Sequence, residues 1–353
     1  MRERDLRDVS YRVRVMRNGA ELTRLLWDSS TPPTVMWDKS GVIRASMKGT
    51  FYPNNTVDLL TDELQPVIII NGQEYPLGVF RASTVGNQNR NYATLINLEA
   101  YDRCWILKNN KIESVLHLAA GTKYTVAVEQ LLTDCGIALR IVDPSESTLQ
   151  TDREDWEIGT DYLSIVNQLL GEINFAPIWF DAEGVAHLER YRPLSERTIM
   201  HRYGNMGRVG VFNPAMDDSE TETDLFSTPN VFICICSNPE LPEPMVATAE
   251  NDNPSSVTSI FRRGMRIARC YAVDNVASQE ELQAYADRLR NESMFTTQTV
   301  SFETFAEGGH GVGDTISIND QKIGGVYEET AWSITMQAGR MMKHTAKKEV
   351  STF

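Results

Sequence analysis

Residues 11–26 read YRVRVMRNGAELTRLL, and this stretch predicts the fold of the amino-terminal part of the chain. Between residues 11 and 15, apolar side chains alternate with arginines, which places the apolar ones on one face of an extended strand. Asn18 and Gly19 supply the two residues of positive φ that a two-residue hairpin turn requires. Glu21–Leu26 then returns as the second strand. The sequence therefore begins with a predicted β-hairpin.

The same pattern continues to about residue 110. Ile43–Tyr52 reads as a strand, and Val67–Ile70 reads as another that precedes a second Asn-Gly pair, Asn71-Gly72. Tyr92–Leu107 alternates through a longer strand pair or a bent strand. Because these strands follow one another at short spacing without a helical period, we expect residues 1–111 to form a small barrel or sandwich.

Between residues 112 and 200 the hydrophobic period becomes helical. Thr125 is predicted to cap a helix that ends near Gly136, where a left-handed residue lets the chain leave the helix. A second amphipathic helix is predicted to begin at Thr160-Asp161. Asp181–Gly184 then reads as the turn of a hairpin. The middle of the chain is therefore predicted to be α+β.

Strand patterning returns after residue 200. Asn230–Ser237 reads as a strand, and four prolines between residues 239 and 254 exclude regular structure from much of the next segment. Ser278 and Glu281 form a capping box, which predicts the start of a helix. Further strands are predicted over residues 296–305, 314–319 and 327–337. The expected fold class is thus α+β and mostly β, with β-rich units at both ends.

The net charge disfavours stable nucleic-acid binding. The 353 residues contain 34 basic and 48 acidic side chains, a net charge of −14, whereas a stable nucleic-acid binder needs a basic face. Residues 1–20 hold six arginines against three acids, and residues 340–353 hold four bases against one acid, so the remainder carries −20. These basic ends are either solvated termini or arms that dock on an acidic partner.

No stretch of the sequence approaches the roughly 20 apolar residues that span a bilayer. The amino terminus mixes charges with apolar side chains, so we expect an unprocessed cytoplasmic product without membrane insertion. The odd number of cysteines predicts reduced thiols. Cys234 and Cys236 alternate within a predicted strand, which favours core packing over a zinc site. The five cysteines are Cys104, Cys135, Cys234, Cys236 and Cys270.

The common local motifs of hydrolases, zinc proteases and phosphate-binding loops do not occur in the sequence. The histidines are widely dispersed, and we expect each to be structural or superficial: His117, His187, His201, His310 and His344. We therefore predict no catalytic, cofactor-binding or metal-binding residue, no cofactor and no enzymatic activity.

Two segments could be mistaken for active sites. Asp152–Glu157 groups carboxylates beside a tryptophan, as in a glycosidase, but Arg153 interrupts it and we expect a solvated approach to a helix. Gly308–Asp314 is rich in glycine like a phosphate cradle, but a strand pattern follows it, so we expect a tight turn. The tryptophans Trp27, Trp37 and Trp332 are expected to be buried in a barrel core more than to anchor interfaces.

Several segments resemble baseplate hub proteins of phage tails and related prophage elements. Trp156–Leu170 followed by Pro177–Gly184 is similar to the family's middle domain. Residues 230–254 are similar to its strand and proline-rich loop, and residues 286–318 to its helix, strand and Gly-Asp turn. Residues 78–102 also look like its first β-domain. The resemblance covers most of the chain.

This resemblance implies a homotrimer in which each subunit carries two tail-tube-like β-barrels. It implies a first barrel over 1–111, an α+β middle domain over 112–200 joined by 238–292, a split second barrel over 201–237 with 293–345, and a C-terminal tail over 346–353. The trimeric ring would join a hexameric tail tube or distal tail protein ring to a trimeric spike or tip protein. It would belong to a virion tail assembled in the host cytoplasm.

The resemblance also gives the acidic body a role, because a negative lumen lets DNA pass without stable binding. Two alternatives stay open at this point. One is a distal tail protein that forms a hexameric ring, and the other is a tail-associated enzyme that degrades cell walls. Against the enzyme, the hub-like units leave no room for an added catalytic domain within the 353 residues.

Overall fold

The computed structural model describes residues 8–90, 93–204, 228–237, 244–273, 275–293, 296–319 and 323–350. Within these ranges the strands are β1 (Val9–Arg17), β2 (Ala20–Leu25), β3 (Thr34–Asp38), β4 (Ala45–Phe51), β5 (Glu63–Ile70), β6 (Gln73–Pro76), β7 (Phe80–Arg90), β8 (Ala93–Tyr101), β9 (Arg140–Val142), β10 (Trp179–Phe180), β11 (Ala186–Leu188), β12 (Ile199–Gly204), β13 (Val231–Cys236), β14 (Met245–Glu250), β15 (Ala268–Val273), β16 (Thr296–Phe305), β17 (Thr315–Asn319), β18 (Gly325–Thr335) and β19 (Met341–Val350). The helices are α1 (Cys104–Asn109), α2 (Tyr124–Asp134), α3 (Tyr162–Glu172), α4 (Ile260–Arg263) and α5 (Gln279–Ser293), with a 3₁₀ turn at Leu194–Glu196. The predicted fold class, α+β and mostly β, is confirmed.

Both predicted Asn-Gly hairpins are present. Asn18 and Gly19 have φ of 52° and 79° between β1 and β2, and Asn71 and Gly72 have φ of 51° and 82° between β5 and β6. Two consecutive positive φ values give the turn whose twist matches that of the flanking strands. The two Asn-Gly pairs therefore form the hairpin turns that the sequence predicted.

The first eight strands form the first barrel. Its sheet runs β3-β4-β8-β7-β5-β1-β2, with β6 beside β5. The segment after β2 closes the ring on β4, because the Asp28 amide donates to the Thr50 carbonyl at 3.0 Å and the Tyr52 amide donates to the Leu26 carbonyl at 2.8 Å. The interior is filled by apolar side chains, including Val13, Val15, Val35, Met47, Leu64, Ile68 and Phe80.

We use the name C-terminal sheet for β12, β17, β18, β19 and β16, which pair in that order. Among the described residues, no pairing joins β12 to β16, so closure of this sheet into a second barrel stays a prediction. Ala346–Val350 was expected in a C-terminal tail, and that expectation is wrong: these residues continue β19 and pair with Thr296–Val300 of β16. The segment alternates as a strand, and β16 supplies the partner that its backbone needs.

The first barrel and the C-terminal sheet are joined by hydrogen bonds between β3 and β18. At this seam Trp37 lies opposite Trp332, and their rings stack with centroids 5.8 Å apart. Trp37 is 1% exposed and Trp332 is 2% exposed, which confirms the expected burial of both rings. Trp27 packs partly buried against the same core. The shared strands make one continuous 13-stranded sheet.

The middle of the chain packs α1, α2 and α3 against the small sheet β10-β11-β9. The helix α3 begins at the predicted place near Thr160-Asp161, and Asp161 caps it, since its carboxylate accepts from the Ser164 amide at 2.9 Å. Gly136 has φ of 77° after α2, also as predicted. Two expectations were wrong: Lys123 and not Thr125 is the N-cap of α2, and the expected strand end near residue 104 is the helix α1. Thr125 is buried inside the first turn of α2 instead.

The strand β13 differs most from expectation. We assigned it to the second barrel, but it pairs with β14 and β15 in a separate three-stranded sheet, and α5 packs on that sheet. Cys234 and Cys236 point into this small core and are fully buried, as their alternation predicted. None of the described helices is both long and apolar enough to cross a membrane.

Candidate functional site

Within the described residues, five titratable side chains lie close together inside the C-terminal sheet. His201 lies on β12, Glu329 on β18 and His344 on β19, while His310 and Asp314 come from the loop between β16 and β17. We call these five residues the histidine cluster. The parallel pairing of β12 with β17 and the antiparallel pairing of β18 with β19 bring the strands that carry them together.

Glu329 is the centre of the cluster and is fully buried. One carboxylate oxygen accepts from His310 Nδ1 at 2.9 Å, and the other contacts His344 Nδ1. On its other side, His344 Nε2 lies 2.8 Å from the hydroxyl oxygen of Thr304. A buried carboxylate is tolerated only with such partners, because the cost of removing its charge from water is several kcal/mol.

The two histidines differ in protonation. Burial lowers the pKa of His310, but hydrogen bonds to Glu307 and Glu329 outweigh it and raise that pKa to about 9. Burial also lowers the pKa of His344, and there it prevails. Burial raises the pKa of Glu329, but the two histidines outweigh it and bring that pKa to about 2. At neutral pH the cluster therefore holds a cationic His310, an anionic Glu329 and a neutral His344.

A second set of contacts surrounds the other ring nitrogen of His310. Its Nε2 lies 3.2 Å from the Tyr203 hydroxyl and 3.5 Å from Glu307 Oε2. The His201 ring stacks on the His310 ring with centroids 3.8 Å apart, and His201 Nε2 lies 3.3 Å from Asp314 Oδ2. The side chains of His201 and Asp314 are 16% and 19% exposed, so this side of the cluster is the one nearer to solvent.

Two ligand sets in the cluster meet the spacing for a metal ion. They are His201, His310 and Asp314, and His310, Glu329 and His344, whose ligand atoms lie within 4.8 Å of one another in each set. In the second set all three side chains are buried and held in hydrogen bonds. The first set contains an atom without a hydrogen-bond partner, His201 Nε2, and is therefore the more open to a ligand.

No local sequence pattern indicates this cluster, because its members are dispersed along the chain. One usable signal was present: Glu329 and His344 occupy inward positions of strands whose inward neighbours Tyr327, Met342 and Ala346 are buried. A charged residue at an inward strand position needs a partner from another strand. Strand alternation could therefore have predicted a buried polar network, but not its partners.

The other two histidines lie elsewhere. His117 is half exposed beside Glu154, with 2.9 Å between Nδ1 and Oε1. His187 lies in the middle of the chain between Asp181 and Glu189, 3.0 Å from each. These positions agree with the structural or superficial roles expected for both.

Of the two suspected active-site segments, Gly308–Asp314 is the turn that we expected. Gly309 and Gly313 have φ of 82° and 88°, and the Gly311 amide donates to Asp314 Oδ2 at 2.7 Å. The glycines allow the tight loop that carries His310 into the interior.

The solvated interpretation of Asp152–Glu157 is wrong for Arg153, whose side chain is 2% exposed. Its guanidinium donates to both carboxylate oxygens of Glu172 at 2.8 and 3.1 Å, and Tyr124 donates to the same carboxylate at 2.9 Å. The arginine pairs inward with a helix instead of meeting water. This network is a buried ion pair of the middle domain.

At the sequence level no protein-family model matches the chain, and no curated protein matches it. Comparison of structures does find relatives. The tail protein from Neisseria meningitidis MC58 matches with a TM-score of 0.64 and 13% identity, over 96% of this chain and 97% of that one. The 43 kDa tail protein of prophage MuSo2 from Shewanella oneidensis matches with a TM-score of 0.63 and 10% identity, over 96% and 98%.

A third solved structure extends the comparison to secretion systems. The Escherichia coli c3393 protein is a component of the type VI secretion system that shows structural similarity to the T4 bacteriophage tail proteins gp27 and gp5. It matches with a TM-score of 0.51 and 10% identity, over 94% of this chain and 75% of that one. The chain described here therefore has the fold of phage tail proteins over nearly its whole length.

Proposed function

We propose that this chain is the hub of a phage or phage-like tail baseplate. In this proposal three copies form a ring that joins the tail tube, or a distal tail protein ring, to a trimeric spike or tip protein. The observation that carries the proposal is the combination of a tail-protein fold over 96% of the chain with two β-rich units fused through one sheet.

The seam between β3 and β18 supports an adaptor role, because an adaptor between two rings must keep a fixed distance between its contact surfaces. Besides the stacked tryptophans, Lys39 on the loop after β3 contacts Glu328 of β18, with 2.6 Å between Nζ and Oε1. The Trp37 indole donates to the Leu77 carbonyl at 2.9 Å. These buried and half-buried contacts resist bending at the junction.

Charge supports the passage of DNA through the ring. The chain carries −14 in total, and a wall of this sign repels phosphate instead of holding it by counterion release. We propose that acidic side chains line the channel and that DNA passes without stable binding. A trimer structure with a predominantly basic channel would contradict this part of the proposal.

The direct test is the oligomeric state of the purified chain, measured by native mass spectrometry and by cryo-electron microscopy of the particle. We expect three copies in a ring with a central hole. Six copies would favour the distal tail protein instead, and a monomer at micromolar concentration would contradict the hub proposal.

The enzymatic alternative is tested by a zymogram against bacterial cell walls. The solved relatives named above are tail and secretion-system proteins, which favours a structural role. Under the hub proposal the purified chain leaves the cell-wall gel intact. A cleared band would instead identify a cell-wall hydrolase.

The proposed site of action is the virion tail, after assembly in the host cytoplasm. The amino-terminal arm is tested by deletion of residues 1–7, which lie outside the described residues and carry three arginines. We expect weaker assembly with neighbouring tail proteins and unchanged folding of the first barrel. If assembly is unchanged, these arginines belong to a solvated terminus and do not form a docking arm.

A further inference from the structure

We propose that the histidine cluster binds a divalent transition-metal ion, with His201, His310 and Asp314 as ligands. The site would lie where β12 meets the loop between β16 and β17. Its nitrogen and carboxylate ligands, without sulfur, suit Zn²⁺ and the chemically similar Co²⁺. The proposal concerns this chain's own side chains and does not depend on the proposed function.

The spacing of the three ligand residues supports the proposal. Ligand atoms of His201, His310 and Asp314 all lie within 4.8 Å of one another, and His201 Nε2 lies 3.3 Å from Asp314 Oδ2. Two ligands bound to one tetrahedral zinc ion through bonds of about 2.1 Å stand about 3.4 Å apart. The contact between His201 and Asp314 is therefore long for a charge-assisted hydrogen bond and has the separation of two ligands on a shared ion.

One of these residues holds a buried atom without a hydrogen-bond partner, His201 Nε2. Buried polar atoms are nearly always satisfied in folded proteins, so this nitrogen beside Asp314 indicates that a further partner belongs there. An imidazole nitrogen coordinates zinc, and a metal ion would satisfy it.

The surroundings of His310 are those of a metal ligand. Its Nδ1 is held by Glu329 at 2.9 Å, and Glu329 is held in turn by His344. A carboxylate behind the far nitrogen of a histidine fixes the ring and makes the near nitrogen a better ligand. Glu329 and His344 are therefore positioning residues in this proposal, and His310 Nε2 is the atom directed at the ion.

Metal binding requires that the His201 ring leave its stacked position on the His310 ring. The two rings are 10° from parallel, whereas an imidazole binds a metal in its own plane, so two parallel stacked rings cannot share an ion. On metal binding His201 must turn about its Cβ–Cγ bond. His201 is the less buried of the two, with 16% of its side chain exposed against 1% for His310, and so it is the ring that turns.

The experiment uses the full chain, treated with a chelator and then dialysed. Isothermal titration with ZnCl₂ is expected to saturate at one zinc ion per chain, and Co²⁺ is expected to give the visible absorption of a tetrahedral site. His201→Ala and Asp314→Asn should each weaken zinc binding at least tenfold, since each removes a ligand. Glu329→Gln should weaken binding about 10–100-fold through His310.

The matched control is His187→Ala, because His187 also lies between two carboxylates but has both nitrogens in hydrogen bonds. It should leave the stoichiometry and affinity unchanged. His201 and Asp314 lie near the surface, so their variants are expected to fold, and circular dichroism checks this. The proposal is overturned if zinc does not bind to the chelator-treated chain, or if folded His201→Ala and Asp314→Asn bind it as well as the original chain does.

Discussion

Two regions of the molecule hold a histidine between carboxylates, and burial makes them different sites. His187 in the middle of the chain and His310 in the C-terminal sheet both have a pKa raised to about 9. For both, burial lowers the pKa, and the hydrogen bonds that the ring donates to two carboxylates outweigh it. The side chain of His187 is 11% exposed and that of His310 is 1% exposed.

The partners of the two rings explain what each can do. Both nitrogens of His187 are 3.0 Å from a carboxylate oxygen, so the ring is satisfied as a cation and has no atom left for a ligand. His310 has one carboxylate contact that short, at 2.9 Å to Glu329, and its other nitrogen lies 3.2 Å from the Tyr203 hydroxyl and 3.5 Å from Glu307. A histidine beside carboxylates is thus a fully hydrogen-bonded cation at His187 and a candidate metal ligand at His310.

The largest expected effect is confined to the C-terminal sheet, the region that holds His310. Deletion of residues 343–353 removes most of β19, including His344, and leaves β16 without its partner among the described strands. We expect loss of the C-terminal sheet, at a cost comparable with the about 5–15 kcal/mol that stabilises a whole domain. Limited proteolysis followed by mass spectrometry measures the loss of this sheet.

The control for this deletion removes charge and keeps the strand. Lys343→Gln with Lys347→Gln changes two exposed side chains of β19. This variant should unfold at nearly the original temperature. If the deletion itself leaves the sheet resistant to protease, the assignment of residues 346–350 to a structural strand is wrong.

The next prediction compares the two central carboxylates. Glu329→Gln leaves the buried His310 cation without its counter-charge and should lower the free energy of unfolding by about 3 kcal/mol. Glu189→Gln, at a side chain 41% exposed, should lower it by less than about 1 kcal/mol. Urea unfolding of both variants, with zinc excluded by a chelator, measures the difference. Equal losses would mean that burial does not distinguish the sites.

The third prediction concerns pH and His187. Its pKa is above the ordinary value, so the stability that it contributes is complete below about pH 6.5 and is lost as the pH rises through about 9. His187→Gln should remove this part of the pH dependence while keeping a hydrogen-bonding side chain. The difference in free energy of unfolding between the two proteins, measured at pH 6 and pH 9.5, should shrink with rising pH. A difference that is constant over this range would contradict the raised pKa.

The smallest expected effect concerns the ring that covers His187. Trp179 stacks on it with centroids 4.1 Å apart. Because a cation over an indole gains about 0.5–1 kcal/mol at exposed sites, Trp179→Leu should lower the free energy of unfolding by about that amount at pH 6. The loss should be smaller at pH 9.5, where His187 is largely neutral. Thermal unfolding at the two pH values distinguishes this from a packing loss, which is the same at both.

The sequence by itself determined the features that depend on neighbouring residues. The Asn18-Gly19 and Asn71-Gly72 turns, the Asp161 cap and the left-handed Gly136 each follow from the conformations open to a few consecutive residues. Strand alternation also placed Cys234 and Cys236 on a buried face correctly. Such predictions succeed because local backbone preferences and the side-chain period act without reference to the rest of the chain.

The tertiary structure decided everything that depends on which strands meet. It placed β13 beside β14 and β15, paired Arg153 with Glu172, and brought His201, His310 and His344 together with two carboxylates. Residues 201 and 344 are distant in sequence, and no local preference encodes the pairings that bring them together. Strand pairing is selected by burial summed over the whole core, and for that reason the candidate site became visible only in the folded molecule.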